Sequence, residues 1–182
     1  MKSAILLLMT PNMSLEKWKQ LGYLSRELAY YKELSNQVNL NLIIFSYGRN
    51  EKDYIKDYPK FTVLQMPGWI PFTIPFKLQN FIYHLASLII YYQFFKTCAF
   101  VKTNQFTASP FGLCLKLLFR IPLIIRMGFY HSHFKKISKL QSLIEALAFK
   151  LSDRILTTST EAGDFISKKY KINNAKILSM CN

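Results

Sequence analysis

Acidic residues are scarce in this chain of 182 residues, with 10 Asp and Glu set against 24 Lys and Arg. Glycoside hydrolysis uses two carboxylates flanking the scissile bond, and no such pair can be picked out here. Cysteine is sparse as well: Cys98, Cys114 and Cys181 are odd in number and without CxxC spacing, which indicates neither a disulfide framework nor a zinc knuckle. A reducing cytoplasm fits that usage. No P-loop and no Ser-His-Asp set with a supporting motif is found, and no repeat period or low-complexity tract is visible. The apolar run Ala4 to Met9 meets Thr10-Pro11-Asn12 too early for a signal peptide and reads as a first strand.

What the chain does have is apolar material. Its hydrophobic fraction is 51% with 15% aromatic, enough to offset the conformational entropy lost on folding and to exclude disorder. The length suits one well-buried domain and is short for two, so a single domain over residues 1–182 is expected. A formal charge of +14 and a pI near 9.7 argue for an anionic partner. The basic residues are spread in ones and twos, as at Lys17, Lys19, Lys32, Lys135, Lys136, Lys168 and Lys169. No nucleic acid is therefore expected as a partner.

Short continuous apolar runs alternate with segments of helical period, the pattern of a parallel sheet covered on both faces. Strands are expected at Ala4 to Met9, Leu40 to Ser46, Phe61 to Met66, Ala99 to Thr103, Leu123 to Arg126, Arg154 to Thr157 and Lys176 to Met180. One long helix over Leu15 to Asn36 follows from its apolar stripe, with Ser14 as N-cap. Further helices are expected at Lys77 to Lys96, Pro110 to Arg120, Ile137 to Ser152 and Ser159 to Tyr170, the last opened by a Thr158-Ser159-Thr160-Glu161 capping box.

Several segments, taken in order, carry a family resemblance. They are the strand Ile5 to Met9 with its loop and a helix holding Gly22, Arg26 and Glu27; Val101-Lys102-Thr103-Asn104-Gln105; Ile124-Ile125-Arg126-Met127-Gly128-Phe129; and Asp153-Arg154-Ile155-Leu156-Thr157-Thr158-Ser159 before a helix. Over essentially its whole length the chain resembles the N-terminal domain of retaining glycosyltransferase family 4, of the kind used in bacterial surface-polysaccharide assembly. The resemblance implies an α/β, Rossmann-like three-layer domain with a mostly parallel sheet of about seven strands, the acceptor-side half of a GT-B fold. It implies that Ala175 to Asn182 runs toward an interdomain hinge. The C-terminal donor-binding domain is then expected to be absent from this sequence and supplied in the same or a separate chain. The complete enzyme would move a sugar from a nucleotide-sugar donor to a lipid-linked or surface-polysaccharide acceptor, with no cofactor and no metal. The fragment alone is expected to be inactive.

In open α/β sheets ligands bind beyond the carboxyl ends of the strands, so the loops there supply the candidates. Asn12 and Ser14 lie before a helix N-terminus, where they serve either a ligand or plain capping; the Gly-rich turn of many relatives is missing. Asn104 and Gln105 offer amides to an acceptor sugar or to local turn backbone. Arg126 suits an anionic acceptor group, and Gly128 admits close backbone approach. Many members of the family place a histidine near this turn; here Gly128 takes that position, with His131 and His133 just downstream. Those two histidines lack a third ligand nearby, so no metal site is expected. Ser159 and Glu161 face the cleft or cap their helix.

The stretch Pro67 to Phe76 is aromatic and proline-rich, and the helix after it is dense in apolar groups. Asn80, His84, Ser87 and Gln93 interrupt it, which argues against a membrane span. A buried crossover helix is the first expectation. The alternative is that Trp69, Phe72 and Phe76 enter a bilayer interface while lysines attract anionic headgroups, so that the protein is cytoplasmic and peripheral on the inner face of the cytoplasmic membrane. A noncatalytic peripheral-membrane or partner-recruiting module is the competing function.

Overall fold

The structure, a computed structural model, describes residues 2–128 and 138–180. Its elements in chain order are β1 (Ala4–Leu8), α1 (Leu15–Gln20), α2 (Leu24–Gln37), β2 (Asn41–Phe45), β3 (Phe61–Leu64), α3 (Phe76–Ile90), α4 (Tyr92–Thr97), β4 (Cys98–Thr103), α5 (Ser109–Phe119), β5 (Leu123–Met127), α6 (Lys139–Leu151), β6 (Arg154–Thr157), α7 (Thr160–Tyr170) and β7 (Ile177–Ser179). The strands form a seven-stranded sheet in the order β3-β2-β1-β4-β5-β6-β7. Its registers run parallel, with Ala4 opposite Asn41, Leu42 opposite Phe61, Ile124 opposite Arg154 and Ile155 opposite Ile177. All seven expected strands are present. The fold is α/β and Rossmann-like, and the reason is visible in β1: Ala4, Ile5, Leu6, Leu7 and Leu8 are all buried, as a strand covered on both faces requires.

The chain divides into two compact units, Met1–Phe100 and Val101–Asn182. In the first, Phe45 stacks on Tyr83 at 4.6 Å, and Tyr47 meets both rings edge-on. In the second, Phe149 lies between Phe106 at 5.0 Å and Tyr170 at 5.2 Å. Lys116 pairs with Asp153, which also accepts from the Leu123 amide at 2.7 Å and so ties α5 to the start of β5.

Two expected helices are each two. The single helix over Leu15 to Asn36 is broken between α1 and α2, where Gly22 takes a left-handed φ of 73°. The helix expected over Lys77 to Lys96 breaks at Tyr91, whose φ of −106° and ψ of 15° leave the helical region.

A larger correction concerns α3. It was expected to bury its apolar stripe as a crossover helix, and it does the reverse. The residues it buries are Gln79, Asn80, Tyr83 and Ser87, while Leu78, Phe81, Leu85, Ile89 and Ile90 are exposed. The inward groups find specific partners. The Tyr83 hydroxyl donates to the carbonyls of Ser46 and Leu64 at 2.9 and 3.0 Å, and Gln79 Nε2 donates to the Pro71 carbonyl at 2.9 Å. His84 Nε2 lies 2.7 Å from the Tyr47 hydroxyl. Burial with hydrogen-bond partners is the condition under which polar side chains tolerate loss of water.

Candidate functional site

In the first unit the loop after β1 is closed by its own chain. Asn12 is exposed with a left-handed φ of 73°. Ser14 is buried, and its Oγ accepts from the Lys17 amide at 3.0 Å, making it the N-cap of α1. A residue that sequence reasoning missed completes the arrangement. Glu51, fully buried, accepts from the Glu16 amide through Oε1 at 3.1 Å. Its own amide donates to Gln65 Oε1 at 2.9 Å. Burial raises the Glu51 carboxyl above its ordinary pKa, against hydrogen bonds led by Ser46 that lower it. A Cβ at Gly48 would stand 2.4 Å from Glu51 Cδ, so this carboxyl needs a glycine beside it. The amides at the start of α1 thus meet side chains of the same unit.

In the second unit the carboxyl ends of β4, β5 and β6 bring several of the sequence candidates together. Gln105 Oε1 accepts from the Gly128 amide at 3.2 Å, and the Gly128 carbonyl accepts from Thr158 Oγ1 at 3.3 Å. A Cβ at position 128 would lie 2.9 Å from Gln105 Nε2, so a larger residue there would push the Gln105 amide aside. The Arg126 amide donates to Thr103 Oγ1 at 3.0 Å, which fixes β5 against the end of β4. Asn104 Oδ1 and Arg126 Nε are buried without a hydrogen-bond partner among the described residues. Such atoms are costly to leave unmade, and here they sit beside a loop edge in a fold whose ligands bind at that edge.

Ser159 is the N-cap of α7, its Oγ accepting from the Ala162 amide at 3.2 Å. This shifts the expected capping box: with Ser159 as cap, the third helical residue is Ala162, not Glu161. Glu161 is exposed, and its own amide, then the Ser159 hydroxyl, hold its carboxyl below the ordinary range. A capping box does form at α6, between Ser138 and Gln141. Thr157 Oγ1 donates to the Ser159 carbonyl at 3.0 Å and lies 3.1 Å from Ser179 Oγ, joining the ends of β6 and β7. His131 and His133 lie outside the described residues. Among the described residues there is no group of three or more His, Cys, Asp or Glu suited to a metal ion. No helix among them is long and apolar enough to cross a membrane.

The first unit also has a cavity of about 280 Å³ lined by Ser3, Asn41, Thr62 and Phe94 among others. It lies at the amino ends of β1 to β3, away from the loop that holds Asn12 and Ser14. Cys98 is buried, and that burial pushes its thiol up to about 12.

No family model matches the sequence, and no curated protein matches it. Solved structures do match the fold. The chain is similar to Anabaena Alr3699/HepE in complex with UDP, with a TM-score of 0.61 and 11% identity over 99% of this chain and 44% of that one. It is similar to Arabidopsis thaliana UGT89C1 complexed with UDP, with a TM-score of 0.61 and 12% identity over 99% of this chain and 52% of that one. A glycosyltransferase from Rickettsia africae ESF-5 matches with a TM-score of 0.57 and 16% identity, over 98% of this chain and 43% of that one. The fold is that of a Rossmann-like half of a GT-B glycosyltransferase, and the chain spans about half the length of the solved structures it matches.

Proposed function

We propose that this chain is the acceptor-side half of a GT-B glycosyltransferase that moves a sugar from a nucleotide-sugar donor to a lipid-linked or surface-polysaccharide acceptor. A donor-binding domain, in the same or a separate chain, supplies the nucleotide pocket. The mechanism retains anomeric configuration, as the resemblance to family 4 implies. The observation that carries this reading is the polar edge built by Asn104, Gln105, Arg126 and Gly128 at the carboxyl ends of β4 and β5, in a fold of the GT-B half-domain type.

The roles follow from the chemistry of the groups. The amide of Asn104 orients an acceptor hydroxyl, and the Arg126 guanidinium holds an anionic acceptor group such as a lipid phosphate. Gln105 sets the distance between the two loops through Gly128. The donor-binding domain supplies the electrostatic partners of the leaving nucleotide, so turnover needs both halves.

Mixing the chain with a separately produced donor domain, a labelled nucleotide sugar and a lipid-linked acceptor tests this reading. Transfer is expected in the complete mixture, reduced about tenfold or more by Arg126→Ala or Asn104→Ala, as for loss of a charged or buried hydrogen bond. Robust transfer by this chain alone would overturn the division of labour.

A further inference from the structure

The inside-out helix α3 leaves a surface that asks for an apolar partner. Soluble helices turn their apolar stripe to the core, and large contiguous exposed apolar patches mark interaction sites. On α3 the residues Phe81, Leu85 and Ile89 follow one another at intervals of four on one face, and they are 58%, 50% and 82% exposed. Their exposure is no accident of a loosely held helix. The opposite face is held by the Tyr83, Gln79 and His84 hydrogen bonds, so α3 cannot roll its stripe inward without stranding polar groups in the core.

The loop that leads into α3 adds two projecting rings. Trp69 and Phe72 are each 63% exposed. The Arg49 guanidinium sits 3.9 Å from the centre of the Phe72 ring, a cation–π contact, and donates to the Ile70 carbonyl. Exposed Lys77 and Lys96 stand at the two ends of the α3 and α4 segment, Lys96 lying 5.2 Å from the Tyr92 ring.

Charge selects the partner. Between Asp57 and Phe100, the rest of the first unit, the sequence contains no Asp or Glu at all, while Lys60, Lys77 and Lys96 fall in that interval. The whole apolar surface of α3 and its loop therefore lies in a segment with cations and no anions. A protein partner of mixed charge needs no such bias. A sheet of anionic headgroups over an apolar interior does, since each basic residue near such a surface contributes about 1 kcal/mol and apolar side chains partition beneath the headgroups.

We propose that α3 lies flat in the interface of an anionic bilayer, its Phe81, Leu85 and Ile89 face below the headgroups, with Trp69 and Phe72 as anchors and Lys77 and Lys96 at headgroup level. This deepens the reading of a lipid-linked acceptor and does not depend on transfer activity, so each can fail alone.

The test is flotation of the full chain with phosphatidylcholine vesicles and with equimolar phosphatidylcholine–phosphatidylglycerol vesicles. Binding is expected to the anionic vesicles, to weaken several-fold at high salt, and to fall about tenfold or more in Leu85→Gln/Ile89→Gln. Leu21→Gln, an exposed leucine of the same unit outside this face, serves as control and leaves binding unchanged. Equal binding to neutral vesicles, no binding to either, or equal losses in the control would overturn the proposal. So would a dimer in light scattering that the α3 variant converts to monomer without any vesicle binding in the parent, since the face would then belong to a second copy.

Discussion

Helices α2 and α3 lie in the same unit and have nearly the same length, and they solve amphipathicity in opposite senses. The α2 helix buries Leu28, Tyr31 and Ser35 and turns Arg26, Lys32 and Glu33 to water. The α3 helix buries Gln79, Asn80, Tyr83 and Ser87 and turns Leu78, Phe81, Leu85 and Ile89 outward. The first is held chiefly by burial of Leu28 and Tyr31, with one hydrogen bond from Ser35 Oγ to the Leu40 carbonyl. The second is held by hydrogen bonds to named carbonyls. A helical stripe thus shows that a helix has two faces, and only the partners waiting in the core decide which one goes in.

The comparison can be broken most forcefully at Leu28. Replacing it with Ala should cost about 2–5 kcal/mol in chemical or thermal unfolding, because an apolar inward side chain of α2 leaves a cavity. The corresponding inward change in α3, Tyr83→Phe, keeps the ring stacked on Phe45 and removes only the hydroxyl. It should still cost about 1–3 kcal/mol, since the carbonyls of Ser46 and Leu64 lose their donor. A smaller loss would mean that packing, not hydrogen bonding, fixes the orientation of α3.

A third contrast is in pH. Burial lowers the His84 pKa to about 4 from an ordinary 6.5, so between those values the unfolded chain binds the proton that the folded chain refuses. The stabilisation from neutral His84 is full above about pH 6.5 and is lost as pH falls toward 4, with a slope of at most about 1.4 kcal/mol per pH unit. Subtracting the profile of His84→Gln isolates this contribution from Glu51, whose raised carboxyl acts with the opposite sign. The smallest effect is expected on the outer face: Leu85→Gln should change stability by no more than about 0.5 kcal/mol. A loss near that of Leu28→Ala would show that the stripe is covered within the folded chain.

Much of the fold was legible in the sequence because its strands are continuous apolar runs, and β1 to β7 needed no side-chain partner to be recognised. The α1 and α2 break was marked by Gly22, a residue suited to positive φ, inside what otherwise reads as one periodic stripe. The orientation of α3 was not legible. Its polar residues were read as interruptions of an apolar helix, whereas they are its means of attachment, and the carbonyls that receive them belong to segments distant in the chain. Glu51 was hidden for the same reason. Between Asn50 and Lys52 it looks like any solvated loop acid, and only the folded chain brings its carboxyl to the Glu16 amide. Of the loop candidates, Gln105 and Gly128 meet as neighbours, but their pairing lay in geometry, with Gly128 as the only local sign.

That pairing has a mechanical consequence. Because Gln105 holds the Gly128 amide while the Gly128 carbonyl holds Thr158, the turns that follow three successive strands are fastened in series through a single residue. The Asn104 turn and the head of α7 are therefore joined through one amide and one carbonyl of Gly128, and a bulkier residue at position 128 would strain that linkage at its midpoint.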